Sequence, residues 1–249
     1  MTVLFDHEKL AAYRVGLDLV AWVEAQLRDM ELAVAAKDHL RRASESIVRN
    51  IVRANSKRTP ADRAQTFDVS YGSGLECAAC LDVLCAWEAL EAPRAVQGKA
   101  MLDRIVAMLI GLRSVKLQQV CESRSEYTVK SDVECFFAHE QLRVYQSAVR
   151  FVHWCADLIR SENLGLPRAR DLDRNSTGVV LNIAEGNGKF SLADRKRFLR
   201  MAGSSGLQAA SSLDIMEARS VITQGVTRQG KEHLREIVSM IGAMARSLG

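Results

Sequence analysis

A chain of 249 residues, 48% hydrophobic and 26% charged, has material for one large core or two modest ones. Only 6% aromatic residues and three prolines, beside abundant Ala, Leu, Arg and Glu, favour an all-α protein, and six cysteines over this length exclude a disulfide-framed mini-protein and read as free thiols. The net charge of +4 sits in the second half, since residues 1–132 hold 18 Lys+Arg against 18 Asp+Glu and residues 133–249 hold 16 against 12, a bias that permits a nucleic-acid partner without requiring one.

Shifted by 132 positions, the sequence falls on itself without a gap. Phe5, His7, Glu8, Leu10 and Tyr13 become Phe137, His139, Glu140, Leu142 and Tyr145, and Trp22 lands on Trp154. Asn50-Ile51 meets Asn182-Ile183, Ala61-Asp62-Arg63 meets Ala193-Asp194-Arg195, Leu81-Asp82 meets Leu213-Asp214, and Gly98-Lys99 meets Gly230-Lys231. About 30 of roughly 110 positions agree at this single offset, which marks an internal duplication. The spacing predicts two tandem up-down-up-down four-helix bundles, over 1–120 and 137–249, joined by a linker over 121–136.

In each copy the first helix is expected to bury a three-and-four stripe: Leu10, Tyr13, Leu17, Val20 and Leu27, repeated as Leu142, Tyr145, Val149, Val152 and Ile159. His7-Glu8 and His139-Glu140 open a zinc-protease pattern, but the second histidine is replaced by Ala11 and Arg143, so a structural or interface role is expected. The second helix carries Leu40, Ala43, Ile47, Ile51 and Ala54, then Leu172, Val179 and Ile183, and in copy two is expected to stop at Gly186-Asn187-Gly188 in a left-handed conformation. Asn50 and Asn182 interrupt this apolar stripe, and each amide is expected to bond a neighbouring helix and fix register.

Basic residues crowd the same region. Arg41, Arg42, Arg49, Arg53, Lys57, Arg58 and Arg63 in copy one, and Arg174, Lys189, Arg195, Lys196, Arg197 and Arg200 in copy two, are the candidate nucleic-acid contacts. Arg42, Arg49 and Arg53, seven and four apart, share one helix face, and such guanidinium stripes suit successive phosphates. A solvated face, or one paired with carboxylates at a subunit interface, accounts for the same pattern.

Thr59-Pro60-Ala61-Asp62 and Ser191-Leu192-Ala193-Asp194 give the third helices an N-cap hydroxyl and an acidic first turn. Cys77-x-x-Cys80 resembles half a zinc site, but the repeat replaces both by Ala209 and Ser212, which reads as a demand for small residues at a close approach; no metal or other cofactor is expected. Gly72-Ser73-Gly74 and Gly203-Ser204-Ser205-Gly206 add further small surfaces suited to packing between chains. The fourth helices carry Leu102, Ile105, Met108 or Leu109, Leu112 and Val115, then Leu234, Ile237, Met240 or Ile241, Met244 and Leu248. The longest apolar run, 105–112, is short of the roughly 20 residues that span a bilayer, and the N-terminus shows no signal pattern, so a cytoplasmic location is expected. No copy joins a nucleophile to a matched base, and an enzyme is not expected.

The stretch Arg174 to Gly186, with Asn182-Ile183-Ala184-Glu185-Gly186 at its end and Phe137-x-His139-Glu140 opening the copy, resembles the four-helix-bundle family first noted as proteins encoded in 23S rRNA intervening sequences. Copy one carries Asn50-Ile51-Val52-Arg53-Ala54 in place of the motif, so Glu185 and Gly186 have no counterpart there. One branch, the accessory variability protein of diversity-generating retroelements, is similar to this sequence in the same way. That resemblance implies a basic, ring-forming helical oligomer that binds a reverse transcriptase and nucleic acid, RNA or DNA. The tandem fusion departs from the single-copy pattern. Two functions follow: a scaffold that holds nucleic acid on its second and third helices, or a protein-interaction module with no such role. The duplication also predicts that the copies pack as a pseudo-symmetric pair, with copy one assembling and copy two free to bind.

Overall fold

The computed structural model describes residues 5–114 and 135–248. Val115 and most of the expected linker lie outside the described residues. Copy one forms α1 (Ala11–Leu27), α2 (Ala35–Asn55), α3 (Pro60–Ala86) and α4 (Ala92–Ser114); copy two forms α5 (Arg143–Ser161), α6 (Leu166–Asn187), α7 (Leu192–Ala218) and α8 (Gln224–Ser247). A short 3-10 turn precedes each copy, Asp6–Lys9 and Ala138–Gln141. Within each copy consecutive helices pack side by side and the first also packs on the fourth, so each is a closed four-helix unit that keeps its own helices.

The expected boundaries of the third helices hold. Thr59 accepts the Asp62 amide at 3.1 Å with Pro60 in the first turn, and Ser191 accepts the Asp194 amide at 3.4 Å. The second helices bury Leu40, Ala43, Ile47, Ile51 and Ala54, and Leu172, Val179 and Ile183, as their spacing requires.

The first helix is rotated from its expected phase. α1 buries Ala12, Gly16, Leu19, Val23 and Leu27, while Leu17 is exposed. The cause is a close approach to α2: a methyl group on Gly16 would lie 3.1 Å from Val48 Cγ2, so small residues line the contact and side-chain size misleads. α6 likewise does not end in a left-handed glycine, because Gly188 keeps φ −82°. Left-handed residues occur instead at Glu88, Asn163 and Ser220, just past α3, α5 and α7.

The copies meet through different faces. α3 of copy one lies against α5 and α6 of copy two, and α2 also touches α6. Among the described residues α7 makes no reciprocal contact with α1 and α2, so the expected pseudo-symmetric pairing is replaced by a head-to-tail one. The consequence is plainest in α3, the one described helix long and apolar enough to cross a membrane; 72% of that apolar window is buried inside the protein. A helix covered by its own bundle on one side and a second bundle on the other has no need of a polar face.

Candidate nucleic-acid interface

At the junction a small polar cluster is built from both copies. Lys99 of α4 places its ammonium 2.6 Å from Asp82 and 3.0 Å from Glu140, and the Tyr145 hydroxyl donates to the other Asp82 oxygen at 2.7 Å. Burial works to lower the Lys99 pKa, but Asp82 and Glu140 outweigh it and the ammonium is held above its ordinary value. His139, stacked on Phe137 and edge-on to Tyr145, is wholly buried; burial, with Lys99 nearby, pushes it down to about 3, so it is a neutral ring here. Nearby, Asp173 of α6 accepts the Ala35 amide at the start of α2 at 2.8 Å, and the His153 ring donates to the Ala86 carbonyl at 2.9 Å. Gly188 takes the tip of Leu75 so closely that a methyl group there would lie 2.1 Å from Leu75 Cδ1.

The repeat then shows what differs between the copies. On copy two, Asp173 and Gly188 touch copy one, and with them Ala156, Thr177 and Leu181 of α5 and α6 are all buried. Their counterparts on copy one are Glu24, Arg41, Glu45, Arg49 and Ser56, all exposed or partly so. The same surface is therefore a buried interface in one copy and an open, charged helix face in the other.

The candidate cations distribute unequally on this background. On copy one, Arg42, Arg49, Arg53 and Arg58 are exposed; Arg49 reaches Glu45 at 2.5 Å, while Arg53 and Arg58 have no carboxylate partner among the described residues. Arg41 is tied to Glu24 at 3.0 Å, Lys57 is half-buried, and Arg63 is half-buried with a bond to the Lys57 carbonyl. On copy two, Arg197 and Arg200 of α7 are exposed. Arg174 is exposed beside Asp171 at 3.6 Å, and Lys196 is partly buried. Lys189 is mostly buried, 2.7 Å from Glu185 and over the Phe198 ring, while Arg195 bonds the Asn187 carbonyl. Copy one therefore carries the denser open stripe of arginines, while copy two has Arg174, Arg197 and Arg200 in the open.

Several smaller expectations need correction. The amide of Asn182 donates to Gly178 O at 2.7 Å and that of Asn50 to Ser46 O at 2.8 Å, so each bonds its own helix one turn back instead of a neighbour. The gap to the next helix is too narrow for more: a methyl on Gly178 would lie 3.0 Å from Ser205 Oγ, and Ser46 bonds Ser73 across it. Ile183 is core, and Gly186 allows close contact with Phe198, its absent methyl being 2.8 Å from Phe198 Cβ. Gly74 and Gly206 face Val106 and Val238 of the fourth helices and pack within each copy, whereas Gly72 faces Lys189 and Glu185 across the junction between the copies. Cys77 and Cys80 are fully buried in α3, where burial drives their thiols well up.

The helical architecture, the duplication and the Asn-Ile-Ala-Glu-Gly segment converge on one comparison. A family model described as 23S rRNA-intervening sequence protein matches twice, over residues 8–111 and 140–243. The chain belongs to this family. The two matches span both bundles, so copy one, which lacks the motif's acidic and glycine positions, is a diverged member and not an unrelated partner domain. No curated protein and no solved structure matches the chain. The clasp of Lys99, Asp82, Glu140 and Tyr145 was missed from sequence, although all four recur in the repeat as Lys231, Asp214, Glu8 and Tyr13.

Proposed function

We propose that the chain is a non-enzymatic helical scaffold that binds RNA through the outer face of α2 and the turn that follows it, with Arg42, Arg49, Arg53 and Arg58 as its phosphate contacts. The observation that carries this reading is the contrast between copies: the buried Leu181, and Gly188 packed on Leu75 and Tyr71 of α3, correspond to Arg49 and Ser56 in the open. A face relieved of a packing duty carries Arg41 and Arg49, each beside a carboxylate, Glu24 and Glu45, while Arg53 and Arg58 have no carboxylate partner among the described residues and are left for a polyanion. Family membership favours RNA over DNA. Arg197 and Arg200 form a separate, smaller patch that adds contacts for a longer strand.

Titration of nuclease-treated protein with labelled single-stranded RNA over a salt series tests this. Four phosphate contacts correspond to a slope of log affinity against log salt of about −3. Replacing Arg42, Arg49, Arg53 and Arg58 by Glu is expected to abolish binding while leaving the helical melt unchanged. Binding that survives the change overturns the assignment of this face. Copurification of a reverse transcriptase with the chain tests the narrower accessory role implied by the retroelement branch. The alternative, a protein-interaction module, draws support from a different surface, the exposed Leu207 and Ile215 of α7.

A further inference from the structure

Where α6 and α8 end and α7 begins, copy two holds a small cavity of about 80 Å³. Its walls are Ile183 and Gly186 of α6, Leu199 of α7, and Met244 and Leu248 at the end of α8, with Arg195 on one side. Space of that size takes about five non-hydrogen atoms.

Two of the wall residues, Ile183 and Gly186, belong to the Asn-Ile-Ala-Glu-Gly segment that distinguishes copy two from copy one. In copy one Ile51 and Arg63 keep the types of Ile183 and Arg195, but Ala54 stands for Gly186 and Phe67 for Leu199. Both changes add bulk to the walls, and Phe67 is buried, 3% exposed. The cavity is therefore tied to the part of the motif for which RNA binding supplies no task.

Arg195 provides the polar element. A terminal nitrogen donates to the Asn187 carbonyl at 3.0 Å, yet the Nε is fully buried and has no hydrogen-bond partner among the described residues. The motif's own acid does not serve it, since Glu185 is held by Lys189 at 2.7 Å. A buried N–H is normally met by an acceptor, and one on a guanidinium favours an anionic acceptor. The local field has the matching sign: residues 188–200 carry Lys189, Arg195, Lys196, Arg197 and Arg200 against Asp194 alone. Aliphatic walls beyond the guanidinium suit a short hydrocarbon tail better than water, which needs two to four polar partners.

We propose that this cavity binds a small branched aliphatic carboxylate, its carboxylate accepting from Arg195 Nε and its tail filling the space between Ile183, Leu199, Met244 and Leu248. An occupant there ties three helix ends together, so binding stabilises the copy-two bundle. The site does not depend on the RNA reading.

The test is calorimetric titration of the nuclease-treated full chain with sodium isovalerate at matched ionic strength, with thermal melts in parallel. The expected result is one saturable site with a dissociation constant of about 1 mM or below, and a melting temperature that rises with ligand. Isovaleramide, of the same shape but uncharged, is expected to bind at least about ten-fold more weakly. Arg195→Met is expected to reduce isovalerate binding by a similar factor while the helical content stays unchanged. Leu199→Phe, which installs the residue of copy one, is expected to abolish it by filling the cavity. Comparison with N-acetyl-leucine separates two sources of the same chemistry: tighter binding of isovalerate assigns a free acid, tighter binding of N-acetyl-leucine assigns the C-terminal residue of a peptide. Absence of saturable binding of either compound to the wild-type chain, equal binding of the amide, or a folded Arg195→Met chain that binds like wild type overturns the proposal. The chain with Arg42, Arg49, Arg53 and Arg58 replaced by Glu is expected to bind isovalerate normally, so failure of the RNA face and failure of this site are told apart.

Discussion

Gly98 and Gly230 show how a single residue sets the distance between helices. A methyl group on Gly98 would lie 2.7 Å from Cη2 of Trp22, and one on Gly230 would lie 2.6 Å from Cη2 of Trp154 and 2.5 Å from Leu213 Cδ1. A leucine tip can move aside, but an indole ring held between helices cannot, so Gly98→Ala and Gly230→Ala are expected to cost about 1–3 kcal/mol each, read as a lowered urea midpoint. Asp173 gives a pH-dependent counterpart. Burial raises its carboxyl to about 6 despite the Ala35 amide and the Thr177 hydroxyl. The folded chain therefore holds a proton between about pH 4 and 6 that the unfolded chain releases, and this group favours folding as the pH falls through that window. His139 acts in the opposite sense: held near 3 in the fold, it loses stability as the pH drops below its ordinary 6.5. Asp173→Asn is expected to stabilise the protein at pH 7 by roughly 2–3 kcal/mol and to lose that advantage by pH 4, measured by chemical denaturation at each pH. An unchanged difference across the range contradicts a buried, raised carboxyl.

Helix starts were legible in the sequence because capping is local chemistry: Thr59, Pro60 and Asp62 lie within four residues. Replacing Thr59 with Ala is expected to lower stability by about 1 kcal/mol, and Ser191→Ala by a similar amount, in thermal melts. The phase of α1 was not legible, since Ala12 and Gly16 carry little hydrophobic signal yet both are buried, Gly16 at a close approach to Val48 of α2. The Asn50 and Asn182 bonds were misread for the same reason, helix separation being a property of the packed pair. For the candidate site, the arginines of α2 stood out by spacing alone. What the sequence could not display was which copy would present them, because that depends on the orientation of one bundle on the other. Leu181 and Arg49 occupy one helical position, and only the placement of α3 decides that the first is interior and the second is open.

That placement also governs how the whole molecule unfolds. α3 belongs to the core of copy one through α2 and α4, and to the junction through α5 and α6. Lys99, Asp82, Glu140 and Tyr145 satisfy one another across the copies, so separating the bundles leaves buried charge without partners as well as an apolar helix face in water. Both penalties couple the copies, and calorimetry is expected to show one cooperative transition for the wild-type chain. Gly188→Phe addresses the coupling directly. The backbone there is in an ordinary conformation, with φ −82°, so the substitution acts by occupying the space of Leu75 Cδ1, 2.1 Å from where its Cβ would be, and of Tyr71, 2.9 Å away. A wedge at this point pries α6 from α3 while each bundle retains its own interior. The expected outcome is two transitions, because the substitution acts at the junction and leaves both cores unchanged. If Gly188→Phe instead shifts a single transition downward, the junction repacks around the ring and the two bundles remain one folding unit.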